Sequence, residues 1–206
     1  MWKTILDLFF PINCLGCGRE GQFICPSCFR KIPLNRKPPL KRLIVASHYK
    51  YPLIKQAIHR YKYDFIRDLA DPLGKLMVKV IRERFFENAL LLPVPLHKKR
   101  LRWRGFNQAE LLALEINRNL NIPMANDILI RTKYNLPQAS IKSPQERKEN
   151  IKQAFQLSRQ STTNIRNKTV LLVDDVATTG ATLEECAKAL KPLKPKQVWG
   201  LVVARG

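Results

Sequence analysis

Apolar and polar residues follow two periods along this chain, and the periods sort it into strands and helices. Leu43 to Tyr51, Ala89 to Leu96, Ile128 to Arg131, Lys168 to Val173 and Gln197 to Ala204 are short apolar runs that read as strands. Between them the period lengthens to that of a helix. Leu53, Ile54, Ala57, Ile58 and Tyr61 fall on one helical face, and Tyr61-Lys62-Tyr63-Asp64 ends it. A second helix is predicted from about Ile66 or Asp71 to Arg84, with Leu73, Leu76, Met77, Val80 and Ile81 inward and Pro72 in its first turn. A third opens within Arg104 to Leu112 and turns Leu111, Leu112, Leu114 and Ile116 to the core. A fourth, Glu184 to Leu190, carries Leu183, Ala187 and Leu190 at helical spacing, with Thr182 as N-cap and Glu185 closing a capping box. Strands alternating with helices imply an α/β fold, a mainly parallel sheet with helices on both faces.

Three stretches lie outside these periods. Met1 to Ile12 has an apolar face broken by Lys3, Asp7 and Pro11, too short to span a bilayer and without a signal cleavage site. It reads as a short helix packed on the body of the protein, and the chain as cytoplasmic. Cys14-Leu-Gly-Cys17 and Cys25-Pro-Ser-Cys28 then form paired C-x₂-C knuckles. Four reduced thiols in this spacing suit a closed, structural Zn²⁺ site. Phe9, Phe10, Ile12, Phe23 and Phe29 would lean such a ribbon on the main domain, and Cys186 reads as a small buried side chain. Residues 31–42 are proline-stiffened and basic, so the division expected is a zinc segment with linker over 1–42 and an α/β domain over 43–206. Thr132 to Asn150 is long and polar, the kind of loop that is commonly functional, with a helical alternative over Pro144 to Phe155.

Charge changes the picture. The chain has 206 residues with 45% hydrophobic content, enough for one full domain and a small appendage. Its 37 Lys and Arg against 16 Asp and Glu give a net charge of +21, more than a small anionic metabolite requires. Such a surplus favours nucleic acid or an anionic membrane surface. Tyr49, Tyr51, Tyr61, Tyr63 and Phe65 stand among Lys50, Arg60, Lys62 and Arg67, where they either stack bases or fill the core.

The densest chemistry follows the Lys168–Val173 run. Asp174 and Asp175 are succeeded by Ala177, Thr178, Thr179, Gly180, Ala181 and Thr182. Small residues let a ligand approach the backbone, the threonines add hydroxyl donors, and a helix N-terminus adds free N–H groups, which together suit a phosphate monoester. The acids suit the vicinal hydroxyls of a sugar, so a ribose 5-phosphate fits both halves. No lysine follows Gly180, which separates the loop from Walker A. A second loop, His97 to Arg104, places cations after the Ala89–Leu96 strand, the end of a strand where open α/β sheets bind ligands.

Val170-Leu-Leu-Val-Asp-Asp-Val-Ala-Thr-Thr-Gly-Ala-Thr-Leu183 resembles the phosphoribosyl pyrophosphate (PRPP) loop of type I phosphoribosyltransferases. Pro93 to Ala113 resembles the ComF/ComFC branch, competence-associated proteins with an N-terminal zinc-binding segment, and the likeness covers nearly the whole chain. It implies a type I phosphoribosyltransferase, Rossmann-like sheet with a small four-cysteine zinc ribbon. It implies PRPP, with Mg²⁺, on the loop from Asp174 to Thr182, and pyrophosphate on Lys98, Lys99, Arg100 and Arg104, which also suit a DNA backbone. Arg104, Asn107 and Gln108 take the look of site residues. Thr132, Gln138, Arg147 and Asn150 match the pattern of a flexible loop that closes over PRPP. Asp175 is the candidate acid/base. Three functions then stand open: Mg²⁺-dependent transfer of phosphoribose from PRPP to an acceptor; a phosphoribosyltransferase fold used to bind single-stranded DNA in natural transformation, with PRPP as effector or vestige; and docking to a competence helicase through the zinc ribbon. The family places such work at the cytoplasmic face of the inner membrane, as a peripheral contact.

Overall fold

The computed structural model describes residues 11–36, 42–84, 86–134, 149 and 151–206. Its centre is a parallel four-stranded sheet in the order β1-β6-β5-β2, where β1 is Leu43–His48, β2 Ala89–Pro93, β5 Thr169–Ala177 and β6 Gln197–Arg205. Two shorter strands, β3 (Leu129–Arg131) and β4 (Phe155–Leu157), pair antiparallel beside it. The expected mainly parallel α/β architecture is therefore present.

Both faces of the sheet are covered, and the two-residue period of the strands decides what each residue touches. Leu91, Leu171, Val173, Leu201 and Val203 join the core beneath α2 (Pro52–Tyr63), α3 (Ala70–Arg82) and α5 (Gln108–Leu120). Leu90, Leu92, Val170, Leu172 and Val202 face α6 (Ala181–Leu190) and the β3–β4 ribbon. Each such side chain, fully buried, contributes roughly 1.5–3 kcal/mol. In α2 the residues on the expected face, Leu53, Ile54, Ala57, Ile58 and Tyr61, are all buried. In α5 the buried stripe is Gln108, Ala109, Leu112, Ala113 and Ile116, while Leu111 and Leu114 are half-buried, one step off the expected face.

The N-terminal module is not a separate ball. Cys14, Ile24, Cys25, Cys28 and Ile32 belong to the same buried cluster as α2 and α3. Gly16 is required there, because a Cβ would stand 2.8 Å from Cys28 Sγ and 3.4 Å from Leu53 Cδ2. The short helix α1 (Pro26–Arg30) sets Phe29 under Lys79 Nζ, 4.4 Å from the ring centre. Phe9 and Phe10, expected to help, lie outside the described residues.

Two local expectations are corrected. The cationic stretch after β2 is not a loop: Lys98–Arg104 forms helix α4, opened by His97, whose Nδ1 accepts from Lys99 N at 3.2 Å, and closed by Gly105 at φ 80°. A run of charged residues shows no apolar stripe, so period alone missed it. The N-cap of α6 is Gly180, at φ 84°, not Thr182. Glu185 closes no capping box because its carboxylate accepts from Gln153 N at 2.8 Å and from Lys188 Nζ at 2.5 Å.

Candidate functional site

Asp174 and Asp175 lie on a strand, not in a loop. Strand β5 continues past Val173 because β6 pairs with it through Ala177↔Arg205, and Gly206 N then donates to Ala177 O at 3.1 Å. On a strand, neighbours point to opposite faces. Asp175 follows the parity of Leu171 and Val173 toward α2 and α5, and Asp174 that of Val170 and Leu172 toward α6 and β3. The acids therefore straddle the sheet at its C-terminal edge and have different surroundings.

Asp175 is 3% exposed and held on both oxygens. Lys62 Nζ, from the last turn of α2, lies 2.8 Å from Oδ1, and Gln108 Nε2, from the first turn of α5, donates to Oδ2 at 3.3 Å. Gln108 is fixed in turn, since Tyr61 Oη donates to its backbone carbonyl at 2.8 Å. Burial works against the Lys62 ammonium, but the Asp175 and Asp174 charges outweigh it and raise its pKa. Asp174 is half-buried. Its Oδ1 accepts from Asp175 N at 2.8 Å. Burial, then the Asp175 charge beside it, push the Asp174 carboxyl up to about 7, against the pull of Lys62 and Arg131. Packed protein decides this shift although part of the side chain meets the cleft.

The cleft in front of the pair holds about 200 Å³ and is lined by cations as well as acids: Lys62, Arg100, Arg104 and Arg131 beside Asp174, Asp175 and Thr182. Arg104 is 8% exposed, and among the described residues its Nε and Nη1 have no hydrogen-bond partner, nor has Arg131 Nε. Buried guanidinium N–H groups left unpaired are costly and await an acceptor. Burial lowers the pKa of both arginines, opposed by Asp175 for Arg104 and by Asp174 for Arg131; both stay charged. Lys98 and Lys99 sit on α4 away from the lining, with Lys99 Nζ 5.5 Å from the ring centre of Tyr134. Asn107 caps α5, accepting from Ala109 N at 3.1 Å, and its Nδ2 donates to Val94 O. The mouth carries aromatics in the open: Trp103, 65% exposed, meets Phe65 edge-on at 4.7 Å, and Tyr63 and Tyr134 are exposed nearby.

The turn after β5 runs from the buried Ala177 through Thr178 and Thr179 to Gly180. Thr179 Oγ1 accepts from Ala181 N at 3.3 Å, which shapes the entry to α6. Of the turn and the start of α6, Thr182 lines the cleft, while Thr179 and Gly180 line a separate hollow with Leu183, Trp199 and Arg205. Gln138, Arg147 and Asn150 lie outside the described residues.

The four cysteines meet. Their sulfurs all lie within 4.8 Å of one another, and Cys17 and Cys25 are 3.7 Å apart. A tetrahedral ion with metal–sulfur bonds of about 2.3 Å needs sulfurs roughly 3.8 Å apart. Cys25 N donates to Cys14 Sγ at 3.3 Å and Gly16 N at 3.5 Å, the backbone support a thiolate needs. The Cys28 backbone lowers Cys25 to about 6, and the neighbouring Cys17 raises Cys28 to about 12. The donor set fits one metal ion such as zinc. Cys186, buried, stands apart from it.

Of the residues proposed from sequence, Asp174, Asp175, Thr182, Arg100, Arg104, Asn107 and Gln108 line the cleft, whereas Ala177, Thr178, Thr179, Gly180, Ala181, Lys98 and Lys99 do not. Sequence reasoning missed Lys62 and Arg131 as site residues. Lys62 carried one signal, a charged position directly after the last buried residue of an amphipathic helix; Arg131 carried none beyond ending a strand.

A parallel sheet bearing an acid pair at its C-terminal edge, before a threonine-rich turn and a helix N-terminus, defines the phosphoribosyltransferase class, and the family model described as the phosphoribosyl transferase domain matches residues 105–205. The chain is 35% identical over 202 residues to Competence protein F of Haemophilus influenzae, covering 95% of this chain and 86% of that one. It is 30% identical over 204 residues to DNA utilization protein YhgH of Escherichia coli K12, covering 91% and 87%. Against Competence protein ComFC of Bacillus subtilis the identity is 28% over 188 residues, covering 86% and 70%. The chain belongs to the ComF/ComFC family of phosphoribosyltransferase-like competence proteins.

Proposed function

We propose that this chain binds PRPP with Mg²⁺ in the cleft before Asp174 and Asp175 and acts on single-stranded DNA taken up in natural transformation. The observation that carries the reading is the composition of one cleft: a carboxylate for ribose hydroxyls beside arginine N–H groups that have no partner among the described residues, on Arg104 and Arg131. The turn of Thr178, Thr179, Gly180, Ala181 and Thr182 would take the 5-phosphate on the α6 N-terminus. The guanidiniums of Arg100, Arg104 and Arg131 would take the pyrophosphate, and with it any charge that develops as it leaves. Mg²⁺ would arrive with PRPP and neutralise its phosphates. The Cys14–Cys17–Cys25–Cys28 set would hold a structural Zn²⁺.

The DNA half of the reading is supported by the net charge of +21 and by exposed Trp103, Tyr63 and Tyr134 among the cations at the cleft mouth. Aromatic faces stack bases without regard to sequence while lysine and arginine take the phosphates. The names of the relatives, competence and DNA utilization proteins, agree with such work. From these names we infer a place at the cytoplasmic side of the inner membrane as a peripheral component, near a DNA-translocating helicase.

Calorimetric titration of PRPP with Mg²⁺, with and without a single-stranded oligonucleotide, tests the proposal. Saturable PRPP binding, lost in the Asp174→Ala, Asp175→Ala double variant, is the expected result. Wild-type protein that binds no PRPP under either condition overturns it, and the cleft is then inherited scaffold on a DNA-binding protein.

A further inference from the structure

We propose that Lys62 is a positioning residue of the ligand site: it locks Asp175 against α5 and leaves Asp174 as the carboxylate that meets the ligand. The inference rests on the PRPP reading above and adds to it a residue that lies outside the matched phosphoribosyl transferase region, 105–205.

A ribose-binding acid needs carboxylate oxygens turned to the cleft. Asp175 offers less of itself than Asp174: Lys62 takes Oδ1, Gln108 takes Oδ2, and 3% of the residue is exposed. Its grip is deeply founded. Lys62 projects from the end of a helix whose preceding residue, Tyr61, is fully buried and holds the Gln108 carbonyl. Of two successive residues of α2, Lys62 thus grips Asp175 directly and Tyr61 holds the α5 residue that grips it from the other side. Asp174 is the reverse case. It uses one oxygen on its neighbour's backbone N–H, and its Oδ2 has no hydrogen bond among the described residues. It faces Arg131 and Thr182 across the cleft, on the side where α6 begins. The two adjacent acids therefore divide the work, one as anchor and one as contact, because strand alternation sends them to different faces.

Removing Lys62 leaves the buried Asp175 carboxylate without its cation beside a second carboxylate, an arrangement that favours rearrangement of the pair. The freed Asp175 carboxylate would then turn and crowd Asp174, whose Oδ1 accepts from the Asp175 backbone N–H.

The test is a binding cycle on full-length protein with Mg²⁺–PRPP as the probe. Variants Lys62→Met, Lys62→Arg, Asp175→Asn and the Lys62→Met, Asp175→Asn pair are titrated, and the melting temperature of each is recorded. We expect Lys62→Met to weaken binding by roughly tenfold or more, the loss tied to a charged hydrogen-bond partner. Lys62→Arg should recover most of it, and the paired variant should bind no worse than Asp175→Asn alone. If Lys62→Met binds as wild type while its melting temperature falls, Lys62 is a fold residue and the inference fails. Tighter binding by Lys62→Met overturns it too, because Lys62 would then compete with the ligand. Wild-type protein without PRPP binding sinks the underlying reading and this inference together, an outcome distinct from both.

Discussion

Replacing Asp174 with asparagine should stabilise the protein above neutral pH and leave it unchanged in acid. The carboxyl titrates at 3.8 when unperturbed and is pushed up to about 7 in the fold. A pKa raised on folding means that the folded state holds the proton between those values while the unfolded state releases it. Stability from this group is then fully present below about pH 4 and is lost as pH rises through about 7. A shift of about three units, at about 1.4 kcal/mol per unit, sets a ceiling of about 4 kcal/mol. Half-burial reduces it, so we expect the wild type to lose roughly 2–4 kcal/mol from this group between pH 4 and pH 8. The substituted amide keeps an oxygen for the Asp175 N–H but carries no charge. Urea unfolding of both proteins across this range isolates the group together with its electrostatic partners, because titrations remote from Asp174 are common to both. The difference between the curves should open as pH rises and flatten above pH 7 to 8. Parallel curves would refute the strain assigned to this acid, and with it the view that stability is given up here for ligand contact.

Other parts of the molecule give three further predictions. Removing metal with a chelator, or Cys28→Ser, should lower the melting temperature by about 10 °C or more, since several kcal/mol of metal-linked folding energy shift a domain of this size by about 3 °C each; an unchanged melt in verified metal-free protein would contradict a structural site. Gly74→Ala should destabilise by about 1 kcal/mol: its Cβ would stand 2.5 Å from Glu115 Cβ where α3 crosses α5, an overpacking cost of about 1–3 kcal/mol that exceeds the helix gain of about 1. Single-stranded DNA binding should fall with salt at a log–log slope of about −0.7 per phosphate contacted, and Tyr134→Ala, outside the cleft lining, should weaken it roughly tenfold with PRPP binding intact; indifference to salt would remove the charge argument.

The sheet was legible because β2, β5 and β6 are apolar runs bounded by turns, and α2 because its apolar stripe is regular. What sequence could not give has a common cause. A period reads only apolar contrast, so it stopped at Val173, where β5 does not, and it assigned the acids to a loop. The same blindness hid α4, whose helical state depends on His97 and Gly105 at its ends and not on a buried stripe. Lys62 and Arg131 were hidden differently. Each reaches the cleft from an element distant in sequence from Asp174, so only the packing of α2 and β3 on the two sheet faces brings them there. The cysteines were legible outright, since their spacing alone brings four sulfurs together.

The sheet has open sides at β1 and β2, and short stretches of chain close each of them. Leu34 bridges to Ser47, Asn35 N donates to Ala46 O at 2.9 Å, and Ser47 Oγ donates to Pro33 O at 2.7 Å. On the far side Met124 bridges to Leu91, with Leu91 N bonded to Pro123 O and Ala125 N to Leu91 O. Unpaired strand edges invite other strands and so promote aggregation. The basic, proline-stiffened tether between the metal module and the sheet is thus also a guard rail: a shortened protein beginning at Leu43 would keep every residue of the cleft yet bare the β1 edge along with the apolar face that the module covers, so restoring the metal module without its tether would not restore solubility.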